Sequence, residues 1–192
     1  MLLEKLLLEF RVPLETFTTK EFELFDTFFE KKQIKKNAFL VREGEVETHS
    51  YFIYNGIMRC WVLDQKGVEQ TFWFCRPGTF SMSNISFTLN QSSTFYVQAL
   101  VDCEVYCIDK EKIIKLYQTI PTLKAVFENL TAILLNRLLE RQVQMIKYTP
   151  EQYYLELVAS YGVLLNYIPL KDIASYLGIT PQALSRIRKR IF

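Results

Sequence analysis

The pattern of apolar and polar positions changes character twice along the chain. The opening run MLLEKLLLEF carries Glu4 and Lys5 among its leucines and reads as an amphipathic helix. Residues 18–36 continue as a helical and then basic segment, with Thr19 as a cap and Phe22, Phe25, Phe28 and Phe29 at helical spacing. From about 37 to 108 the texture becomes that of short strands. Apolar runs alternate with polar residues, and turn signals recur at Glu43-Gly44-Glu45, Asn55-Gly56, Asp64 to Gly67, Arg76-Pro77-Gly78 and Asn90 to Ser93. Tyr51–Tyr54, Ile57–Leu63, Val68–Phe74 and Phe95–Leu100 are the expected strands, and Asn55-Gly56 predicts a hairpin between the first two. In VDCEVYCID, strict alternation puts Cys103 and Cys107 on one face with Val101 and Val105.

After residue 108 the pattern is helical to the end. Asp109 caps a short helix, and Pro121 opens a long one reaching about Lys147. Leu123, Phe127, Leu130, Leu134 and Leu138 follow steps of four, three, four and four, close to a seven-residue repeat, with Val126, Ile133 and Leu135 widening the stripe. At 1.5 Å per residue such a helix is about 40 Å long. Two readings stand: a seam with the same helix of a second copy (Phe127, Leu130, Leu134, Leu138), or a core helix lying on the β segment. Apolar residues on more than one face favour the seam, although Arg137 and Arg141 lie near it. Pro150 pushes Thr149 out of helical geometry and marks a boundary. The divisions are therefore 1–119 (helices and a β jelly roll), 120–148 (a dimerisation helix) and 149–192.

The last division carries the most specific pattern, LKDIASYLGITPQALSRIRKRI. Ala174 is small where two helices cross. Gly178 supplies a positive-φ stop four residues later, Thr180 caps the second helix, and Pro181 occupies its first turn. Ile173, Leu177, Ile179, Leu184 and Ile187 fall where the two helices face each other. Together these match a helix-turn-helix. Residues 150–192 hold five basic side chains (Lys171, Arg186, Arg188, Lys189, Arg190) against three acidic ones, so the net charge of +2 resides there entirely. Gln182, Ser185 and Arg186 would face base edges, whereas Thr180, Arg188 and Lys189 would hold phosphates. Double-stranded DNA is the expected partner. A run of three basic residues alone would be read as a solvated terminus.

Other chemistries find little support. At 49% hydrophobic and 23% charged residues, the composition is globular. No stretch approaches the roughly 18 apolar residues of a membrane helix, and the N-terminus lacks the form of a signal peptide, so a cytoplasmic protein is expected. Cys60, Cys75, Cys103 and Cys107 show no metal-ligand spacing and read as buried small hydrophobes; the single His49 argues against a cupin-type metal site. No nucleophile–base pair, paired-carboxylate motif or phosphate loop is present, so neither an enzyme, a metal nor a cofactor is expected.

The order of parts resembles a CRP/FNR-type transcriptional regulator. The likeness covers almost the whole chain, through REGE (Arg42–Glu45), YFIYNG (Tyr51–Gly56), DQKG (Asp64–Gly67), RPGTF (Arg76–Phe80) and the helix-turn-helix. It implies an α+β fold: an N-terminal double-stranded β-helix or jelly roll of the cyclic-nucleotide-binding type, a long dimerisation helix, and a C-terminal DNA-binding domain. It also implies a homodimer and contact with RNA polymerase. The ligand positions depart from the family. Where nucleotide-binding members have Gly-Glu and Arg-Ser, this chain has Met82-Ser83 and Ser93-Thr94. Without the carboxylate for the ribose and the guanidinium for the phosphate, cyclic AMP is not the expected effector. Either the region holds a less charged effector lined by Phe72, Phe74 and Phe80 alongside these four positions, or it is a filled core. Iron–sulfur members need an N-terminal cysteine cluster and haem sensors an axial pair, whereas here the first cysteine is Cys60 and His49 is single. Many members add a β-hairpin wing after the second helix; this sequence ends at Phe192, so either the wing is absent, which would reduce phosphate contacts, or the sequence is cut short before it. The rival expectation is a ligand-sensing or protein-interaction module that does not bind DNA.

Overall fold

The computed structural model describes residues 1–191. Eight short strands form two four-stranded antiparallel sheets. The first contains β1 (Glu30–Ile34), β3 (His49–Asn55), β6 (Phe80–Ser81) and β8 (Cys103–Asp109), in the order β1-β8-β3-β6. The second contains β2 (Phe39–Val41), β4 (Met58–Leu63), β5 (Glu69–Cys75) and β7 (Tyr96–Ala99), in the order β2-β7-β4-β5. The helices are α1 (Leu2–Glu9), α2 (Thr19–Asp26), α3 (Asn84–Leu89), α4 (Lys110–Thr119), α5 (Thr122–Lys147), α6 (Pro150–Tyr161), α7 (Leu170–Tyr176) and α8 (Pro181–Ile191).

The β segment differs from the expected strands in two respects. The basic segment after α2 supplies a further strand: Glu30–Ile34 pairs with β8 from Glu30↔Cys107 to Ile34↔Cys103. Its Lys-rich outer surface suits an edge strand, where charge discourages pairing with other chains. Thr18, one residue before the expected cap, accepts the Glu21 N–H and opens α2. Asn55-Gly56 is not a hairpin. β3 pairs with β8 and β6, and β4 with β5 and β7, so this turn carries the chain from one sheet to the other. Gly56 has φ 93°, and a Cβ there would lie 2.5 Å from the Cys103 Sγ. Sequence alone shows a tight turn but not which strands it joins.

Three apolar layers result. Between the sheets, Ile53, Met58, Val97, Val105 and Cys107 pack with Tyr51, Cys60, Cys75 and Cys103. All four cysteines are buried and free. Alternation along β8 puts Cys103, Val105 and Cys107 inward, as its sequence predicts. Outside the first sheet, Leu2, Leu3, Leu6 and Leu7 of α1 join Phe22, Phe25, Phe52 and Ile108. Outside the second sheet, Ile57, Phe74 and Leu100 share a cluster with the α6–α8 helices.

The long helix divides along its length. Leu123, Val126 and Leu130 are buried against the first sheet's outer layer, and Phe127 packs on Phe80 at 5.7 Å between centroids. Leu134 is half-buried, while Leu138 is exposed. Of the four expected seam residues, Phe127 and Leu130 are therefore occupied within the chain. The apolar stripe was wide enough to serve two faces, and periodicity cannot say which one meets the chain's own core. In the second half, Leu135, Leu139, Val143 and Ile146 are exposed by 57%, 56%, 47% and 86%.

The α6–α8 unit is fastened to the outer face of β4 and β5. Arg59 Nη1 donates to Asp172 Oδ1 at 2.7 Å and Nη2 to Gln98 Oε1 at 2.9 Å, and Nη2 also reaches Glu69 Oε2 at 2.5 Å. The Arg59 and Asp172 side chains are each only 5% exposed. Ser175 Oγ accepts the Thr71 N–H at 2.9 Å, and Tyr161 donates to the Phe74 carbonyl at 3.2 Å. Burial raises the Asp172 pKa above 3.8, and the Arg59 charge opposes it without cancelling it.

Leu130→Ala is expected to lower stability by about 2–5 kcal/mol in urea titration, with the molecular mass in sedimentation unchanged. A change of mass at unaltered stability would move Leu130 from the core to a seam. Because the folded chain binds the Asp172 proton more tightly than the unfolded chain, this group's stabilisation is full below about 3.8 and falls as pH rises through its elevated folded value. The urea midpoint of the native protein, measured relative to Asp172→Asn, should accordingly decline on going from pH 4 into the mildly acidic range. A difference that rises or stays flat would contradict this assignment.

Candidate nucleic-acid interface

The two C-terminal helices meet through side chains that the sequence pattern singled out. Ala174 is fully buried at their crossing, and Ile179 N–H donates to its carbonyl at 3.0 Å. Gly178 has φ 69°, and a Cβ there would meet nothing within 4 Å, so backbone conformation, not space, calls for glycine. Thr180 Oγ1 accepts from Ala183 N–H at 3.2 Å, capping α8. Leu184 and Ile187 close the interface against Ile173 and Leu177, which are also buried.

On the opposite side of α8, Gln182, Ser185, Arg186 and Lys189 are all exposed. Their i, i+3, i+4, i+7 spacing confines them to an arc of about 100°. Arg188 is exposed on one flank of this arc, beside Pro181. Arg190 lies on the other flank and is bound to Glu151 at 2.6 Å. The structure thus brings the expected base-facing residues and Lys189 onto one surface, with Thr180 at its N-terminal end.

Pairing sharpens the charge of this surface. Two of the three acidic residues of the C-terminal division are held by arginines: Asp172 inside the β-sheet contact, Glu151 by Arg190. Among the described residues, Arg186, Arg188 and Lys189 have no carboxylate within 4.0 Å. The charge counted from the sequence for the C-terminal division includes Asp172 but not its partner Arg59, which lies outside that division. An Arg in the middle of an otherwise apolar strand, MRCWV, was the available signal.

The expected effector pocket does not assemble. Phe72 lies at a register shift, opposite the step between Cys60 and Trp61, and meets Phe95 edge-on at 5.3 Å. The extra residue there breaks the two-residue period that would have kept Phe72 and Phe74 together. Phe74 turns outward to Tyr176 at 5.1 Å and is buried beneath the C-terminal helices. Phe80 packs on Phe52 at 5.3 Å on the outside of the first sheet. Together with Met82 it lines an apolar cavity of about 280 Å3 beneath α4 and α5. Ser83 is buried with its hydroxyl unpartnered, Ser93 donates to the Phe95 carbonyl at 2.8 Å, and Thr94 is exposed. His49, the isolated histidine, starts β3 beside Glu47, with Nδ1 and Oε1 3.2 Å apart.

Among the described residues, no helix is long and apolar enough to cross a membrane. No curated protein matches the chain. Residues 31–120 match the cyclic nucleotide-binding domain family. Among solved structures, FixK2 from Bradyrhizobium japonicum superposes with a TM-score of 0.70 at 19% identity, covering 85% of this chain and 84% of that one. The c-di-GMP responsive global regulator CLP of Xanthomonas campestris gives 0.69 at 14%, covering 91% of each. The catabolite activator protein of Thermus thermophilus gives 0.57 at 19%, covering 91% of this chain and 83% of that one. At these identities the likeness is one of fold. Residues 31–120 thus resemble a cyclic nucleotide-binding domain, and the chain shares its fold with these three solved structures from the β sandwich through the long helix.

Proposed function

We propose that this protein is a homodimeric transcription regulator in which α7, the turn at Gly178 and α8 form a helix-turn-helix that reads double-stranded DNA. The observation that carries this reading is the exposed stripe Gln182, Ser185, Arg186 and Lys189, opposite the buried Leu184 and Ile187. An 11-residue helix with this division lays its polar side in a major groove while its apolar side fixes it to the protein. Gln182 suits adenine and Arg186 guanine. Thr180, Arg188 and Lys189 suit phosphates, which set position without reading sequence.

The exposed half of α5 supports a twofold partner. Leu135, Leu139, Val143 and Ile146 repeat at steps of four, four and three on a helix that continues beyond its own β domain. A pair of such helices would present two α8 helices to half-sites about 34–36 Å apart. This seam replaces the one centred on Phe127 and Leu130. Cyclic AMP is not the proposed effector, because Met82, Ser83, Ser93 and Thr94 offer neither the carboxylate nor the guanidinium such a ligand needs. Contact with RNA polymerase remains part of the proposal through family resemblance.

Selection from random duplex DNA tests the reading directly, and a twofold-symmetric site is expected. Absence of any salt-dependent duplex binding would leave a sensing or protein-interaction module instead. Arg186→Ala should reduce discrimination at one base position by about 1–3 kcal/mol, whereas Lys189→Ala should weaken all sequences alike and lower the salt slope by about one. The double substitution Leu135→Asp/Leu139→Asp should yield a folded monomer in sedimentation; an unchanged dimer would exclude this seam.

A further inference from the structure

A cleft of about 330 Å3 lies where the β domain, the long helix and the C-terminal helices meet, a volume within the range of small-ligand sites. Arg76 enters it from the β5–β6 turn, Arg137 and Arg141 from α5, Tyr153 and Tyr161 from α6, and Tyr176 from α7. It lies outside the roll interior, which side chains fill, and shares only Phe80 and Leu134 with the apolar cavity lined by Met82.

Its charges are unequally matched. Glu9 pairs with Arg76 and lies 3.9 Å from Arg137. Glu140 and Glu156 also line the cleft but are exposed to solvent. Arg141 differs. Its guanidinium lies 4.5 Å from the Tyr176 ring centroid, and Nη2 donates to the Tyr176 carbonyl at 3.2 Å. Its Nε is buried and has no hydrogen-bond partner, and among the described residues no carboxylate lies within 4.0 Å of it. A buried donor left without an acceptor is a rare feature. A carboxylate matches it in charge and geometry, because guanidinium and carboxylate pair in one plane. Tyr153, Tyr161 and Tyr176 give this otherwise polar cleft one aromatic side, with the Tyr153 and Tyr176 rings 5.7 Å apart.

We propose that this cleft binds a small monoanion with a flat apolar body, of the aromatic carboxylate class, with its carboxylate on Arg141 and its ring against the tyrosines. One unmatched guanidinium suits a single negative charge better than a phosphate dianion. The cleft also spans the joint at Tyr148-Thr149 between α5 and α6. A ligand there touches the β domain and both helices flanking that joint, so its occupancy would bias how the C-terminal helices are held.

The site does not depend on the DNA-binding reading, and its test contains no DNA. Titration calorimetry of the full chain uses benzoate, with benzyl alcohol as the uncharged ring and Lys115→Gln as a surface control. Benzoate should bind saturably below about 10 mM. Benzyl alcohol, or benzoate with Arg141→Gln, should bind at least about tenfold more weakly, and Lys115→Gln should match the native chain. If Arg141→Gln loses its helical circular dichroism, Ser160→Trp, which fills the cleft from an exposed position, takes its place with the same expected loss. No saturation by benzoate, equal binding of benzyl alcohol, or undiminished binding by a folded cleft variant each overturns the proposal.

Discussion

The pairing of Arg59 with Asp172 governs where the C-terminal helices sit. A guanidinium on the outer face of β4, only 5% exposed, needs a partner. That partner comes from α7, 113 residues away along the chain. Around it, Phe74, Tyr161 and Tyr176 exclude water, and Ser175 takes up a strand N–H. The outer face of the second sheet is thus an interface, which explains why β5 carries apolar residues on both faces. It also removes Asp172 from the surface of the helix pair, so that the cationic side of α8 faces outward without a neighbouring carboxylate from α7.

The sandwich itself is a filled platform. Tyr51, Met58, Cys60 and Cys75 occupy the space between the sheets, where the strands alternate closely enough to interdigitate. Residues 31–120 match the cyclic nucleotide-binding domain family, while the positions where that resemblance expects charged ligand-holding side chains carry Met82, Ser83, Ser93 and Thr94. A fold and its ligand site are separable, because turns and core layers are set by glycines and apolar periodicity, whereas binding is set by a few charged side chains. On the proposed reading, the working surfaces of this chain lie outside the roll: the outer half of α5, the polar arc of α8, and the cleft between them.

The long helix joins these surfaces. Its first half is anchored through Leu123, Val126 and Leu130, so its direction is fixed by the β domain. Its second half exposes Leu135, Leu139, Val143 and Ile146 while Leu134, Arg137 and Arg141 border the cleft on another side. One helix therefore serves three environments, with side chains 100° apart facing different neighbours. Several charges are paired inside or at the edges of contacts, Arg59 with Asp172 and Arg76 with Glu9 among them, while Arg186, Arg188 and Lys189 on α8 have no carboxylate within 4.0 Å among the described residues.

Local chemistry was legible in the residues themselves. Caps at Asp109 and Thr180, the stop at Gly178, the breaks at Pro121 and Pro150, and the alternation of β8 each depend on neighbours within a few positions, so the sequence by itself determined these elements and the likeness of the C-terminal pair to a helix-turn-helix. What the chain does with those elements was decided only in three dimensions. Sheet membership at Asn55-Gly56, the strand at Glu30–Ile34, the outward turn of Phe74 after the shifted register at Phe72, and the division of α5 between core and surface all depend on which distant segment supplies the other half of the contact. An apolar stripe states that a face must be covered; only the packed chain states by what.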